Sequence, residues 1–199
     1  MNRATSAIGR AVFLARDGVL NEDRPNGVGR PEDFAWLPGA IPALRALRRG
    51  GWRLVVTTNQ PAIARGLLGP AEYDNLTGWM RAELRRHGVA LDGVYHCPHL
   101  PDAPLAAWRR QCACHKPHAG MFRRAARDLQ LDLADCVVIG DSGDDVAAAR
   151  AARVAAAIRI ADPADTAALV ASHAAADFTC NDLAQAADWL LHHEKRQRA

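Results

Sequence analysis

Four clusters of reactive side chains punctuate this 199-residue chain, three of them directly after apolar runs and one after a proline-rich stretch. They are Ala15-Arg16-Asp17-Gly18, Thr57-Thr58-Asn59-Gln60, His115-Lys116-Pro117 and Gly140-Asp141-Ser142-Gly143-Asp144-Asp145. Asp17 offers a carboxylate that can give or take a proton. Thr58, Asn59 and Gln60 offer a hydroxyl and amides suited to hydrogen-bonding an oxyanion, and Lys116 offers a cation for a dianionic group. The carboxylates of Asp141, Asp144 and Asp145 share one turn and repel one another; Mg²⁺, which prefers oxygen ligands, would relieve this. On extended backbone, side chains two apart point the same way, so positions 15 and 17 should face one ligand. Singly, each group has a plainer explanation: Asp144 and Asp145 could cap a helix, and Lys116 could be a solvated charge. Their repetition at successive strand ends is the sharper signal.

A fifth constellation is Cys97-x-His99 followed, after twelve residues, by Cys112-x-Cys114. Three thiolates and an imidazole suit tetrahedral Zn²⁺ in a closed, structural site. His96, His115 and His118 are near enough to substitute for His99, so the thiols are better defined than the fourth ligand. The remaining cysteines, Cys136 and Cys180, lie in apolar segments and read as small buried thiols. His192-His193 suits a solvated helix end, where positive charge matches the dipole. The five tryptophans are scattered and read as packing residues.

The elements that must hold these groups alternate between short apolar runs and helical stretches, the pattern of a parallel sheet covered on both faces. Strands are expected near 11–15, 52–58, 93–96, 136–140, 154–158 and 177–180. Helices are expected near 39–49, 70–88, 119–130, 144–152, 163–172 and 182–196. Pro38-Gly39 and Gly69-Pro70 open the first two helices and Gly88 closes the second. The alanine-rich stretch 147–157 suits either helix or strand. Residues 21–38 and 97–118 read as long loops, and loops of that length need a function or an external tie. In open parallel sheets ligands bind beyond the carboxyl ends of the strands, where the reactive clusters fall.

About half the residues are hydrophobic and a quarter charged, as in ordinary globular proteins. The formal charge of +3 comes from 25 basic and 22 acidic residues, mixed along the chain. That balance, with no basic block interleaved with aromatics, gives no reason to expect nucleic acid. The apolar run Ala11–Ala15 is too short for a signal peptide or a membrane span, so a cytoplasmic protein with no membrane partner is expected. One domain over 1–199, with a tail from about 192, and a monomer are the expectations.

Strand-Asp-x-Asp-Gly, strand-Thr-Asn, Lys-Pro and Gly-Asp-x-x-x-Asp, in that order, resemble the haloacid dehalogenase (HAD) superfamily. Here the first Asp of that pattern is Ala15. The stretches VFLARDGVLNED, PEDFAWLPGA, VVTTNQPAIARG, CPHLP, CACHKPHAGMF and VVIGDSGDDVAAA narrow the likeness to D-glycero-D-manno-heptose 1,7-bisphosphate phosphatases. The histidinol-phosphatase branch shares the same zinc loop. The resemblance implies a capless three-layer α/β/α fold, with a mainly parallel sheet and a zinc-bound loop. It also implies hydrolysis of a phosphate monoester of a small phosphorylated sugar through an aspartyl-phosphate, with Mg²⁺. Carried over by position, Asp17 is the acid/base and its backbone carbonyl a Mg²⁺ ligand. Asp141 is a direct Mg²⁺ ligand and Asp145 an indirect one. Thr58 and Asn59, with Gln60 beside them, hold phosphoryl oxygens, and Lys116 neutralises them. Arg65 lies at the sugar-facing edge, with Asn21 and Asp23 on the substrate loop.

The departures from that pattern are specific. Ala15 stands at the position of the nucleophilic Asp, and a methyl group can neither attack phosphorus nor bind Mg²⁺. Pro61-Ala62 replaces Ser-Gly, His115 replaces an Arg that contacts phosphate, and Arg153 replaces a Gly. The expected consequence is impaired turnover. The rival is a non-catalytic sugar-phosphate-binding or scaffold protein, and a histidinol-phosphate phosphatase is a further alternative.

Overall fold

The computed structural model describes residues 9–161 and 175–197, and the helix expected over 163–172 lies outside them. The apolar runs form β1 (Ala11–Leu14), β2 (Arg53–Asn59), β3 (Gly93–Cys97), β4 (Val137–Gly140), β5 (Ala156–Ile160) and β6 (Phe178–Cys180). All five strand pairings are parallel, in the order β3-β2-β1-β4-β5-β6. The central strands are buried on both faces, which is why they read as continuous apolar runs.

Strand alternation divides the core in two. Val12, Leu14, Leu54 and Val56 meet α1 (Ala40–Arg49), α3 (Pro70–Arg86) and α6 (Leu183–Gln197) on one face. On the other, Ala11, Phe13 and Val55 meet α4 (Gly120–Leu129) and α5 (Gly143–Ala152). Three layers result. A short helix, α2 (Pro61–Ala64), was not expected from the sequence. Pro61 opens it at a position where the missing N–H costs nothing, and Ala62 is buried beneath Gly27.

Several boundaries differ from expectation. The first strand stops at Leu14, leaving Ala15 just past its end. The alanine-rich stretch resolves as helix to Ala152 and strand from Ala156, two residues later than expected. Between them Arg153 takes the left-handed conformation (φ 60°) at the helix C-terminus. Glycine adopts that conformation without steric cost. Loop 21–38 is tied to the sheet end by bridges from Asn21 to Asp17 and to Trp36. No helix among the described residues is long and apolar enough to cross a membrane.

Candidate active site

The carboxyl ends of β1, β2 and β4 open into a cavity of about 420 Å³. Of the positions singled out from sequence, Ala15, Asp17, Asp23, Thr58, Asn59, Gln60, Arg65, His115, Lys116, Asp141 and Asp145 all line it. Ala15 and Asp17 do share the ligand-facing side, Ala15 through a methyl group that is 5% exposed.

Asp17 receives donors on both oxygens. Oδ1 accepts from Arg16 Nε (3.2 Å), Arg16 Nη2 (2.9 Å) and Asn21 Nδ2 (2.9 Å), and Oδ2 from Gln60 Nε2 (2.9 Å). Gln60 Nε2 also donates to Thr58 Oγ1 at 2.7 Å. This network bears on two of the expected substrate contacts. Asn21 was expected to contact substrate, but it is fully buried and outside the cavity wall. The turn that bridges Asn21 to Asp17 sends its amide to the carboxylate instead. Gln60 reaches the wall, yet its amide group is spent on Asp17, Thr58 and Arg16.

Asn59 and Lys116 lie far apart in sequence but are paired twice. Asn59 Nδ2 donates to Lys116 O (3.1 Å) and Lys116 N donates to Asn59 Oδ1 (3.0 Å). Lys116 Nζ, 5% exposed, donates to Thr57 O (3.1 Å) and to Asp145 Oδ1. The other oxygen of Asp145 accepts from Ser142 N, while Ser142 Oγ accepts from Asp145 N, a reciprocal cap on α5. Asp145 is thus committed to Lys116 and the helix start.

Asp141 is different. Burial and the nearby charge of Asp145 push its carboxyl up to about 7. Among the described residues it has no ion-pair partner. Gly18, at φ 74°, brings the backbone after Asp17 so close that a Cβ there would collide with the Asp141 carboxylate. A half-buried carboxylate with no paired cation among the described residues, beside a tightly apposed turn, fits a divalent ion held by Asp141 and the Asp17 carbonyl. Burial and Asp17 likewise push Asp23 up at the rim, where Arg65 is exposed and Arg24 pairs with Asp33 at 3.2 Å.

The metal-type cluster lies beside the cavity. Its sulfurs are separated by 3.5 Å (Cys97–Cys112) and 3.2 Å (Cys97–Cys114 and Cys112–Cys114), and His99 Nδ1 lies 3.4 Å from Cys114 Sγ. All four ligand atoms fall within 4.8 Å of one another. Tetrahedral Zn–S bonds of about 2.3 Å imply sulfurs about 3.8 Å apart, so the donor set fits after slight expansion. Burial pushes the Cys97 thiol up; at Cys112 burial acts the same way, but hydrogen bonds from Cys114 and Cys97 outweigh it and hold that thiol down. Arg110 Nη2 lies beside His99 Nε2, which leaves Nδ1 as the ring nitrogen facing the Cys97 and Cys114 sulfurs. His115 belongs to both sites: its ring lines the cavity and its Nδ1 is 3.6 Å from Cys97 Sγ. Burial lowers its affinity for protons.

Residues 32–153 match the model of the haloacid dehalogenase-like hydrolases. The chain belongs to that family. A D-glycero-beta-D-manno-heptose-1,7-bisphosphate 7-phosphatase of Escherichia coli O6:H1 is 43% identical over 144 residues, 72% of this chain and 75% of that one. The Yersinia pestis enzyme of the same name is 38% identical over 174 residues, 87% and 91% of the two chains. Among solved structures, a D,D-heptose 1,7-bisphosphate phosphatase from B. bronchiseptica, complexed with magnesium and phosphate, superposes with a TM-score of 0.80. It shares 33% identity over 93% of this chain and 99% of that one. Within this HAD-like chain the relatives are phosphoric monoester hydrolases. Sequence reasoning missed Arg16 and Arg24. Arg24 carries no local signal. Arg16 did offer one, an ionisable residue between two cavity-facing positions, but its burial follows only from how β2 and the residues after β1 meet.

Proposed function

We propose that this chain is a cytoplasmic, monomeric, single-domain member of the heptose-bisphosphate phosphatase type, with turnover disabled at Ala15. The observation that carries the reading is one cavity lined by Asp17, Thr58, Asn59, Lys116 and Asp141, with a methyl group at position 15. In this reading Thr58 Oγ1 and the second N–H of the Asn59 side chain, whose first binds Lys116 O, would donate to phosphoryl oxygens. Lys116, anchored by Asp145, brings a positive charge to the same end of the cavity. Arg65, Arg24 and Asp23 at the rim face the rest of a small, polar, phosphorylated sugar. A cavity of this size and polarity suits such a substrate better than a polymer.

Asp141 and the Asp17 carbonyl would hold Mg²⁺, and Cys97, His99, Cys112 and Cys114 would hold a structural Zn²⁺. Mg²⁺, when bound, supplies positive charge against the phosphoryl oxygens. Asp17 would protonate the leaving oxygen as its bond to phosphorus breaks, then take a proton from the water that opens an acyl phosphate. That acyl phosphate needs a carboxylate at position 15, which Ala15 cannot provide.

Ala15→Asp is therefore the deciding experiment. It should raise Mg²⁺-dependent hydrolysis of a heptose or hexose phosphate by about 10⁴-fold over the unmodified chain, the span lost when a covalent nucleophile is removed. Unmodified protein turning over at about 1 s⁻¹ or faster would refute the disabled reading. An Asp variant that binds phosphate yet hydrolyses nothing would favour a sugar-phosphate-binding protein. A substrate panel led by histidinol phosphate would move the chain to that branch.

A further inference from the structure

Arg16 has no part in the chemistry described so far, yet it is among the most deeply buried charged side chains in the molecule, at 2% exposure. Its guanidinium sends Nε and Nη2 to the same oxygen of Asp17 and shares Nη2 with Gln60 Oε1 at 3.2 Å. Gln60, also 2% exposed, closes the ring by donating to the opposite oxygen of Asp17. The Asp17 carboxylate is thus gripped from both sides by two side chains that also grip each other. Asn21 supports the grip from below, through Oδ1.

Stability does not explain this arrangement. Taking a guanidinium out of water for a pairing with a carboxylate returns little net stability, and an apolar residue of similar size often does as well. The burial is also incomplete in its hydrogen bonding: Arg16 Nη1 and Asn21 Oδ1 are buried without partners among the described residues. Unmet polar groups in a native interior call for a reason, and strain held for catalysis is a common one. The rotation of a carboxylate about its last bond is soft, and a proton-transfer group must present one chosen oxygen to the reacting atom.

We propose that Arg16 and Gln60 form a positioning clamp that fixes the orientation of the Asp17 carboxylate, without touching substrate themselves. The clamp rests on the reading of Asp17 as the acid/base. It gives Arg16 a role that lysine cannot fill, because only the planar fork reaches the carboxylate and Gln60 together. It also reassigns Gln60 from binding phosphate to orienting Asp17 and Thr58.

Two measurements test it. In the Ala15→Asp protein, Arg16→Lys and Gln60→Met should each lower turnover of a sugar phosphate about 100-fold, within the range of acid–base effects. In a pre-steady-state burst, release of nitrophenol from a nitrophenyl phosphate should slow by no more than about threefold, because that leaving group departs without a proton and the burst precedes the water step in which Asp17 is the base. A burst slowed as much as the sugar-phosphate turnover would overturn the clamp, since general damage to the cavity does not depend on the leaving group. Crystal structures of the Ala15 chain carrying Arg16→Lys or Gln60→Met provide the second arm. Asp17 should leave its present orientation or split between two, and an Asp17 unmoved in both variants would overturn the clamp. Should Ala15→Asp be inactive, the phosphatase reading fails while the crystallographic comparison still decides the clamp.

Discussion

The cavity at the strand ends and the loop over 97–115 meet at Leu100 and His115 but are built on opposite terms. The polar groups at the floor of the cavity are anchored by sheet or helix. Asn59 ends β2, Asp141 follows β4, and Lys116 is held by Asn59, Thr57 and Asp145. The loop is mostly exposed, and between Leu100 and Cys114 only Ala103 is buried. A few bonds fold it on itself, chiefly Leu100 N to Trp108 O and Arg109 to the carbonyls of Ala103 and Pro104. The cavity can therefore form from packing alone, whereas the loop depends on whatever joins its three sulfurs and His99. Preorganisation is inherited from the core in one region and brought in by a ligand in the other.

Four changes press on that contrast. Lys116→Met should be the most damaging, because it strands the buried Asp145 carboxylate without its cation. A loss of about 4 kcal/mol is expected in urea unfolding. A near-neutral result would mean that Ser142 and the helix start carry Asp145 unaided, and that the cavity does not depend on the Lys116 pairing. Chelating zinc, or Cys112→Ser, should speed amide exchange over 98–115 by about 100-fold while β1, β2 and β4 change little. Uniform acceleration through the sheet would erase the distinction between the two regions.

In Mg²⁺-free protein, Asp141→Asn should stabilise the cavity. The carboxyl is raised from 3.8 in the unfolded chain to about 7 in the fold. Between those values the unfolded state has released a proton that the folded state retains. Stability is thus lost as pH rises from about 4 to about 7 and stays lost above. The variant should gain about 2 kcal/mol over the parent at pH 8 and almost nothing at pH 3.5. Thermal melts at the two values check this, and saturating Mg²⁺ should reverse the ranking at pH 8. The smallest effect is a control remote from both regions. Arg153→Gly removes a left-handed non-glycine residue and should add about 0.5 kcal/mol by urea unfolding, changing neither phosphate affinity nor loop exchange.

The apolar runs announced five of the six strands to within one residue, most plainly β1, β2 and β4, because strands buried on both faces tolerate little else. The sixth boundary slipped at Ala156, where alanine fits helix and strand alike and the turn is made by an arginine in place of glycine. The short α2 was hidden because four residues carry no period.

The order of the reactive groups along the chain, their positions after strand ends, the cysteine–histidine spacing and the methyl at position 15 were all decided by the sequence itself. These are one-dimensional properties, and strand ends in a parallel sheet converge wherever the strands lie. Which groups are free to meet a ligand was decided only in three dimensions. Gln60, Asn21 and Asp145 look as available in the sequence as Asp141. Yet packing turns the first three toward Arg16, Asp17, Lys116 and Ser142, and leaves Asp141 without a counter-ion. Burial and hydrogen-bond commitment depend on residues as far as 59 positions apart, as between Thr57 and Lys116. No local pattern of residue types encodes such a distance.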